Sequence, residues 1–568
     1  MIRYDSSFSP SQRAERILRD GKMIGEGESP ADMISRVATT IGAQELAFGN
    51  DEESTQAFVD RLGIALDAGD IVMSTPVMTN AGRHVEKPLT ACTVPTFDLS
   101  FERRADLRSE IIYLHEQGMG TGFNLDETTD PVGTLRFLNG VAIESANSGR
   151  EERPVGNMAV LSVRHPRIID FINAKIDTEE DWKFNISINL DKEFMDALES
   201  GEPITLDDGT QRSAREIFDE ICLAATICAD PGILFLDRMN ARNPVPGLGE
   251  YKTTAPCAEV GLIEGETCQF GYINVGNFVT DSGTIDFTKL EETTAIITRA
   301  LDNSLQISQQ NMDGPDSTIK SISTLKRKIG VGLCGVADAL SLMGLPYDSP
   351  EGRSAMQDVL SLINFVSKKT SVQLARERGS FGAMSLLMGN RHTEQQGHTE
   401  NLYGDKPTNT VSASDWQELS EEIRTTRNLR NISTTALPPT GRSALVIDAS
   451  TGIEPHFDPL QANERVVEAL ARRVQAEYGV DIFDPTAHTP EVTRLLSSAH
   501  TIEPLGHIAM AAALQQLTDE SLSKTVNLPA NASPEDVAGV YIAGYESGMS
   551  GVTVYVDGSY KQQPVQVK

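Results

Sequence analysis

Short apolar runs alternate with amphipathic helical patterns through most of this chain, and that alternation constrains the fold more than any other feature. Candidate strands lie at 71–73, 158–163 and 184–190. A helical pattern such as 214–228 repeats apolar side chains on one stripe, and Gly232 follows as part of a stop signal. Strand–helix alternation over about 400 residues predicts an α/β protein built on a barrel or a large sheet.

Two segments depart from the alternation. Residues 10–70 have helical periodicity, and Pro30 after Ser29 suits the first turn of one of these helices. Residues 391–420 are rich in polar and turn-forming types and predict an exposed excursion. We therefore expect a helical region before the α/β part and one long surface insertion within it.

Composition and charge exclude several classes of protein. The formal net charge of −32, from 81 acidic and 49 basic residues, argues against binding to nucleic acid. No apolar run approaches the roughly 20 residues that a membrane span needs, and the first residues lack the order of a secretory signal. We expect a cytoplasmic protein, in the host cytoplasm if the chain is viral, that binds neither nucleic acid nor membrane.

The cysteines and histidines do not indicate a disulfide scaffold or a metal site. Six cysteines in 568 residues are too sparse for a scaffold, and none stands at Cys-x-x-Cys spacing. The nine histidines never fall at His-x-x-x-His spacing, so we predict no metal ligands. Cys222, Cys228 and Cys334 lie in apolar patterns and are expected to be packed core thiols.

The other three cysteines accompany a carboxylate. Cys257 and Glu259 are two positions apart and point the same way if the backbone is extended, while Cys268 follows and Cys92 lies upstream. Three thiols and one carboxylate are the minimum set for radical reduction of a ribose: one radical carrier, one acid–base group and two electron donors. Three unrelated buried cysteines remain the simpler interpretation of the spacing alone.

Two glycine-containing stretches are candidates for ligand-binding loops. Residues 118–123 miss the dinucleotide-binding fingerprint, because the third Gly comes one residue early, and predict a tight turn. Residues 439–443 combine a rigid Pro, a permissive Gly, two hydroxyls and an Arg, which together can hold a phosphate. An ordinary turn explains residues 439–443 equally well.

Taken together, these segments resemble the catalytic chain of ribonucleotide reductase, most closely the adenosylcobalamin-dependent class II. Small phage-type members between class I and class II are a second likeness. The matching stretches, in the family's order, are 73–82 leading to Cys92, 184–195, 230–240 with Pro256-Cys257-Ala258-Glu259, 329–338, 452–455, 523–529 and Gly551-Val552-Thr553-Val554-Tyr555.

The resemblance implies the fold, the division into domains and the reaction. The fold would be a ten-stranded α/β barrel around a central finger loop, like that of the glycyl-radical enzymes, with an N-terminal helical region. The helical region would cover 1–70, the catalytic barrel 71–530, and a C-terminal strand with a short tail 531–568. The reaction would be the reduction of ribonucleoside di- or triphosphates to 2′-deoxyribonucleotides.

The resemblance also implies roles for single residues. Cys257 would be the thiyl radical that takes the 3′ hydrogen of the ribose, Glu259 the base on the 3′ hydroxyl, and Cys92 with Cys268 the reducing pair. The substrate-binding residues it implies are Ser74, Thr75, Ala91, Ala255, Pro439, Thr440, Gly441, Arg442 and Ser443. An effector dNTP would bind near Asp98, the turn after Gly122 and the 177–183 loop, which contains Asp181.

The sequence departs from the family pattern in three places. Ala255 stands where the family usually has Asn, which leaves room for altered chemistry or a specialised substrate. No Cys follows Cys334, so a thioredoxin-like reductant is expected to reach the disulfide directly. The N-terminal segment is shorter than the family's ATP-binding cone, so overall regulation through such a domain is not expected.

The sequence leaves two candidates for the source of the radical, adenosylcobalamin and a separate metal-containing subunit. Class I chains take the radical from a separate ferritin-like dimetal subunit through two adjacent tyrosines, whereas Tyr555 here has no Tyr neighbour. That favours adenosylcobalamin as the radical source. The chain would then act as a monomer or homodimer. Ser74-Thr75-Pro76 is nevertheless class I-like, and a class I chain would have no radical cofactor of its own. A non-catalytic or specialised nucleotide-modifying relative is a second alternative, supported by Ala255 and opposed by the three thiols and Glu259.

Overall fold

The computed structural model describes residues 2–151, 153–176, 180–312, 314, 317–389 and 407–559. The 177–183 loop, the 391–420 excursion and the C-terminal tail lie partly outside the described residues. The strands are β1 Ile71–Met73, β2 Cys92–Thr93, β3 Gly120–Asn124, β4 Asn157–Ser162, β5 Phe184–Asn189, β6 Pro203–Thr205, β7 Gln211–Ser213, β8 Gly232–Leu234, β9 Thr253–Thr254, β10 Gly261–Leu262, β11 Thr267–Cys268, β12 Phe270–Asn274, β13 Gly330–Cys334, β14 Thr525–Leu528 and β15 Gly551–Val556.

The helices lie mainly before and between the strands. They are α1 Gln12–Asp20, α2 Pro30–Ala47, α3 Glu52–Asp67, α4 Thr75–Asn80, α5 Arg104–Glu116, α6 Pro131–Asn147, α7 Ile168–Ile172, α8 Lys192–Ser200, α9 Ala214–Cys228, α10 Leu236–Ala241, α11 Phe287–Gln310, α12 Ser317–Lys326, α13 Val336–Met343, α14 Pro350–Arg378, α15 Met384–Gly389, α16 Ala413–Thr426, α17 Arg442–Leu445, α18 Glu464–Tyr478, α19 Pro490–Leu495, α20 Pro504–Gln515 and α21 Pro534–Glu546. The predicted strands at 71–73, 158–163 and 184–190 and the predicted helix at 214–228 are confirmed.

An eight-stranded sheet forms the larger part of the α/β region. Its order is β11-β2-β3-β4-β5-β8-β15-β14, and the run from β2 to β8 is parallel. Helices between successive parallel strands make the crossovers that parallel pairing requires. The α/β architecture predicted from the alternation is thereby confirmed.

A second sheet of three strands lies beside the first, in the order β1-β12-β13. An extended segment connects the two sheets, because Thr435 bridges to Val331 of β13 and Leu437 bridges to Leu522, just before β14. Strands of both sheets bury their side chains in one main core. The interior between the sheets is where the predicted site residues converge.

The N-terminal helices pack on this α/β region through a buried ion-pair cluster. Ser29 and Asp32 form a capping box that begins α2, which confirms the predicted start. Near the other end of α2, the Glu45 carboxylate accepts hydrogen bonds from Arg299 of α11 and Arg378 of α14. The helical region is therefore tied to the helices that cover the three-stranded sheet.

The last eight residues of the predicted excursion, 413–420, are helical instead. Residues 413–426 form α16, which begins at a capping box of Ser412 and Asp415. Trp416 of α16 is fully buried and meets Phe365 of α14 edge to face, with ring centroids 5.2 Å apart. The apolar side chains of this segment are few, but they fall on one face of the helix and pack against the protein. The expectation of an exposed loop is therefore wrong for residues 413–420.

Among the helices that the structure describes, none combines the length and the apolar character needed to cross a membrane.

Candidate active site

Cys257 and Glu259 lie on the tip of a short hairpin. β9 and β10 pair antiparallel, and the turn between them is closed by the Ala255 N–H donating to Val260 O at 3.1 Å. Ala258 has φ of 64°, a left-handed conformation that a non-glycine residue adopts only at a cost. The extended backbone assumed for Cys257 and Glu259 is therefore wrong, and a tight turn presents both side chains.

Glycines on the neighbouring strands make room for this hairpin. A Cβ on Gly122 would stand 2.4 Å from Thr254 O, and Cβ atoms on Gly120 and Gly156 would each stand 3.2 Å from Pro256. Any side chain at Gly122 would push the hairpin away. The tight turn predicted for 118–123 is wrong from Gly120 onward, where the chain is strand β3.

Cys92 and Cys268 face each other across an antiparallel ladder. They are register partners on β2 and β11, and the Cys268 thiol donates to Cys92 O at 3.9 Å. Directly opposed residues in such ladders have Cα atoms about 4.5–5.5 Å apart. That spacing falls within the roughly 4.4–6.8 Å that a disulfide spans, so the two free thiols are placed to form one.

The paired thiols lie next to the hairpin tip. The Cys92 sulfur is 3.5 Å from the position that a Cβ on Gly120 would occupy, and Pro256 is 3.2 Å from the same point. Asn185 of β5 donates from Nδ2 to Pro256 O at 2.9 Å, which holds the tip from the other side. The structure therefore brings the three predicted thiols and Glu259 into one place.

Glu259 is a buried carboxyl with an unusual protonation equilibrium. Burial raises its pKa to about 7, against partial compensation from the backbone N–H groups of Glu259 and Cys257. Its Oε2 atom is buried and, within the described residues, has no hydrogen-bond partner. A carboxyl with a pKa near neutrality can accept and return a proton at physiological pH.

The thiols of Cys257 and Cys268 remain protonated at neutral pH. Burial, followed by the charge of Glu259, raises the pKa of Cys257 well above its usual value, although part of its surface stays open. Burial and the neighbouring Cys92 raise the pKa of Cys268 in the same direction. Protonated thiols are poor nucleophiles but retain the S–H hydrogen that radical chemistry needs.

Arg153 is a site residue that the sequence analysis missed. Its guanidinium donates to Ala91 O and to Gly118 O, each at 2.8 Å, and its positive charge acts on Cys92 and Cys268. Arg153 lies in a loop before β4 without any motif, so no local signal marked it. Asn185 was likewise missed as a hairpin contact, although its stretch was matched.

The two predicted substrate-binding segments converge. Ser74 precedes α4, and its N–H donates to Phe270 O of β12 at 3.2 Å, while its Oγ is buried without a hydrogen-bond partner among the described residues. Thr75 Oγ1 is 3.4 Å from Ser443 Oγ. Ser74, Thr75 and Ser443 are therefore neighbours although 368 positions separate the last two.

Residues 439–443 form a turn whose amides are partly used within the segment. The Gly441 N–H donates to Pro439 O and the Ser443 N–H to Thr440 O, so these two are not directed at a ligand as expected. Thr440 Oγ1 accepts from the Gly452 N–H at 2.8 Å. Gly441 and Arg442 are exposed, which leaves the Arg442 guanidinium free to approach an anion.

The remaining predicted site residues place no side-chain polar group beside the thiols and Glu259. Ala255 is fully buried at the base of the hairpin and offers only backbone polar groups. Ala91 acts through its carbonyl, which accepts from Arg153 and from the Gly120 N–H. Asp98 and Asp181 are exposed and each has a local partner. Asp98 accepts from the Ser100 N–H at 2.8 Å, and Asp181 forms an ion pair with Lys183 at 2.9 Å. Across those same parts, no group of three or more His, Cys, Asp or Glu side chains could hold a metal ion.

Two family models match the chain along most of its length. The ribonucleotide reductase all-alpha domain matches residues 8–85, and the ribonucleotide reductase barrel domain matches residues 118–555. The second match alone spans more than half of the chain, so the chain belongs to the ribonucleotide reductase family.

Named relatives and a solved structure agree with this membership. The chain is 30% identical to the vitamin B12-dependent ribonucleoside-diphosphate reductase of Thermoplasma acidophilum, over 98% of this chain and 71% of that protein. It is 28% identical to a protein of the same description from Mycobacterium tuberculosis strain CDC 1551, over 97% of this chain and 79% of the relative. The Actinobacillus ureae class Id ribonucleotide reductase alpha subunit superposes with a TM-score of 0.75 at 14% identity, covering 97% of this chain and 98% of that one, which shows the shared fold.

Proposed function

We propose that this chain is a catalytic ribonucleotide reductase, which reduces ribonucleotides to 2′-deoxyribonucleotides by thiyl-radical chemistry. The single observation that carries the proposal is the register of Cys92 with Cys268 beside the Cys257–Glu259 hairpin tip. A dithiol, a third thiol and a carboxyl with a pKa of about 7 together supply an electron pair, a hydrogen-atom carrier and a base. The names of the relatives support the same activity, with ribonucleoside diphosphate as the substrate.

The first step falls to Cys257 and Glu259. The Cys257 thiyl radical takes the 3′ hydrogen of the ribose, and the Glu259 carboxylate accepts the proton of the 3′ hydroxyl. Removing that proton drives expulsion of the neighbouring 2′ hydroxyl, which leaves as water when a thiol protonates it. The burial of Glu259 and the partial burial of Cys257 shield the sugar radical from solvent.

The second step consumes the dithiol. Cys92 and Cys268 give two electrons and two protons in all, one C–O bond of the ribose breaks, and one C–H bond and one disulfide form. Cys257 returns its hydrogen to the 3′ carbon and regains the radical. The balance is one ribonucleotide and one dithiol converted to one deoxyribonucleotide, one disulfide and one water.

Substrate anchoring falls to the segments around Ser443 and Thr75. Buried Ser74 Oγ and exposed Arg442 are polar groups available to a ligand in the region where those segments meet. A phosphate near Arg442 would be held by a bidentate charge-assisted contact. The ribose would then lie toward the hairpin tip.

Adenosylcobalamin is the cofactor we propose, because the relatives named above are vitamin B12-dependent. When bound, adenosylcobalamin would supply the radical equivalent, and Cys257 would be the thiol that receives it. The residues present fit that demand in one respect: Cys257 carries a protonated sulfur with part of its surface open at the hairpin tip. A thioredoxin-like dithiol would re-reduce the Cys92–Cys268 disulfide, and an effector dNTP near Asp98 and Asp181 remains part of the proposal.

The test is an assay of the purified chain for deoxynucleotide formation with a dithiol reductant, with and without adenosylcobalamin. We expect product only when the cofactor is present. Product without cobalamin, on addition of a ferritin-like dimetal subunit, would overturn the cofactor assignment and leave the reaction intact. No product from ribonucleoside di- or triphosphates under either condition would overturn the proposed function.

A further inference from the structure

Tyr272 projects into the site from the middle of β12. Phe270, Tyr272 and Asn274 share one face of this strand, because successive side chains alternate, while Gly271 on the other face lies against Ile297 of α11. Tyr272 therefore points away from the covering helix. A Cβ on Gly332 of β13 would stand 3.0 Å from the Tyr272 ring, so this glycine provides the space that the ring occupies.

The ring lies between the two halves of the proposed site. The same point on Gly332 is 3.0 Å from Pro438, which directly precedes the 439–443 turn. On the other side, Glu259 and the thiols of Cys268 and Cys92 are the groups whose ionisation is felt by the Tyr272 hydroxyl. Tyr272 thus spans from the substrate-anchoring turn to the thiols and the carboxyl.

Two polar groups here lack protein partners. No hydrogen bond to the Tyr272 hydroxyl is found in the described part of the chain, although only 5% of the residue is exposed. Glu259 Oε2 is buried and has no partner in that part either. Buried polar groups are nearly always hydrogen-bonded, so the unpartnered Glu259 Oε2 indicates a ligand that completes it. The Tyr272 hydroxyl, which no described protein group binds, is available to the same ligand. Ala255, at the base of the hairpin, has no polar side-chain atom to serve.

We propose that the Tyr272 hydroxyl donates a hydrogen bond to the same ribose hydroxyl whose proton Glu259 accepts. This inference rests on the proposed function, in which that group is the 3′ hydroxyl. The sugar oxygen is then held between a donor and an acceptor, which fixes the 3′ carbon opposite Cys257. Tyr272 is thereby a substrate-binding residue for the sugar, independent of the phosphate contacts.

The phenol suits this role because it stays neutral. Burial, and then the charges of Glu259, Cys268 and Cys92, raise the pKa of Tyr272 well above its usual value. A neutral phenol offers one donor throughout the working pH range. Its contribution to sugar binding is therefore expected to be the same at pH 6 and pH 9.

Tyr272→Phe removes only the hydroxyl. Combining this substitution with ligands that lack one ribose hydroxyl tests which ribose hydroxyl the Tyr272 hydroxyl contacts. Affinities of wild type and Tyr272→Phe would be measured for a ribonucleoside diphosphate and for its 2′-deoxy and 3′-deoxy analogues. We expect the substitution to weaken binding of the ribonucleotide and the 2′-deoxy analogue by about tenfold, and to leave the 3′-deoxy analogue unaffected. Equal losses for all three ligands, no loss for any, or coupling to the 2′ hydroxyl instead would overturn the inference.

Tyr541→Phe is the matched control, because the Tyr541 hydroxyl is buried and donates to Pro231 O at 3.0 Å, within the protein. We expect Tyr541→Phe to lower the thermal unfolding midpoint and keep wild-type turnover, whereas Tyr272→Phe should keep the midpoint and lose at least about tenfold in kcat/KM. A lowered midpoint with normal turnover in Tyr272→Phe would show a structural role and overturn the inference. A wild-type chain that forms no deoxynucleotide at all would instead count against the proposed function.

Discussion

Two buried polar regions of this molecule differ in how their groups are partnered. In the cluster beneath the N-terminal helices, Asp302 accepts from Arg327 at 2.6 Å and also from Arg378 and Arg430. At the hairpin tip, Glu259 Oε2 has no hydrogen-bond partner among the described residues. The first region satisfies its charges within the protein, and the second leaves polar groups for a ligand.

The protonation equilibria of the two carboxyls follow from this difference. Burial alone would raise both pKa values, but the three arginines hold the pKa of Asp302 well below its ordinary value. No cation opposes burial at Glu259, so its pKa rises to about 7. A buried charge with partners is tolerated in the fold and is costly to leave unpaired, whereas an unpaired buried carboxyl lowers stability and gains acid–base capacity.

Replacement of Cys257 tests the functional region with the largest expected effect. Cys257→Ser should lower turnover more than a thousandfold, because an alkoxyl radical is far harder to generate than a thiyl radical, while nucleotide affinity stays nearly unchanged. Cys228→Ser is the control, since that thiol is half-buried on α9 and donates to backbone carbonyls that a hydroxyl can also reach. Turnover of Cys257→Ser within tenfold of wild type would sink the radical assignment.

Replacement of Asp302 tests the structural region. Asp302→Asn keeps the shape but leaves Arg327, Arg378 and Arg430 without their shared carboxylate, at a cost of about 3–5 kcal/mol in the free energy of unfolding. Urea unfolding at neutral pH measures this loss. A fall of less than about 1 kcal/mol would show that the three arginines do not depend on the Asp302 carboxylate.

Glu259→Gln should raise the free energy of unfolding at pH 8, whereas Asp302→Asn should lower it. Because the pKa of Glu259 is raised from 4.5 to about 7, the folded chain binds the extra proton between those values, and wild-type stability falls as pH rises through this window. Glu259→Gln removes that dependence, so it should be more stable than wild type by about 1–3 kcal/mol at pH 8 and closer to it at pH 5. A destabilised Glu259→Gln at pH 8 would show that the carboxylate has partners in solution.

The smallest predicted effect is a dependence of the reaction rate on pH, which follows from the ionisation of Glu259. If ionised Glu259 is the base, kcat/KM should fall about tenfold per pH unit below about pH 7 and level off above it. Glu259→Gln should lose this acidic limb together with most of its activity. An acidic limb near pH 4.5 in wild type would contradict the raised pKa.

Local patterns in the sequence predicted much of the architecture. Period-two and helical spacing located β4, β5 and α9, and Ser29 with Pro30 marked the start of α2. These elements were predictable because each is longer than four residues and carries its own pattern.

The site was only partly predictable, because long-range pairing builds it. β2 and β11 are two residues long, and the pairing of Cys92 with Cys268 joins positions 176 apart. The pairing of Cys92 with Cys268 is implied by the family resemblance, because local spacing in the sequence carries no information about which cysteines meet. Tyr272 had one usable signal: it alternates with Phe270 and Asn274 on one face of β12.

Single-turnover mapping of the thiols tests the central claim most directly. The fully reduced chain would be given adenosylcobalamin and substrate without any reductant, then quenched, alkylated and digested. We predict about one deoxynucleotide per chain and one new disulfide linking the Cys92 and Cys268 peptides, with Cys257 still free. Product formed while Cys92 and Cys268 both remain alkylatable would contradict it.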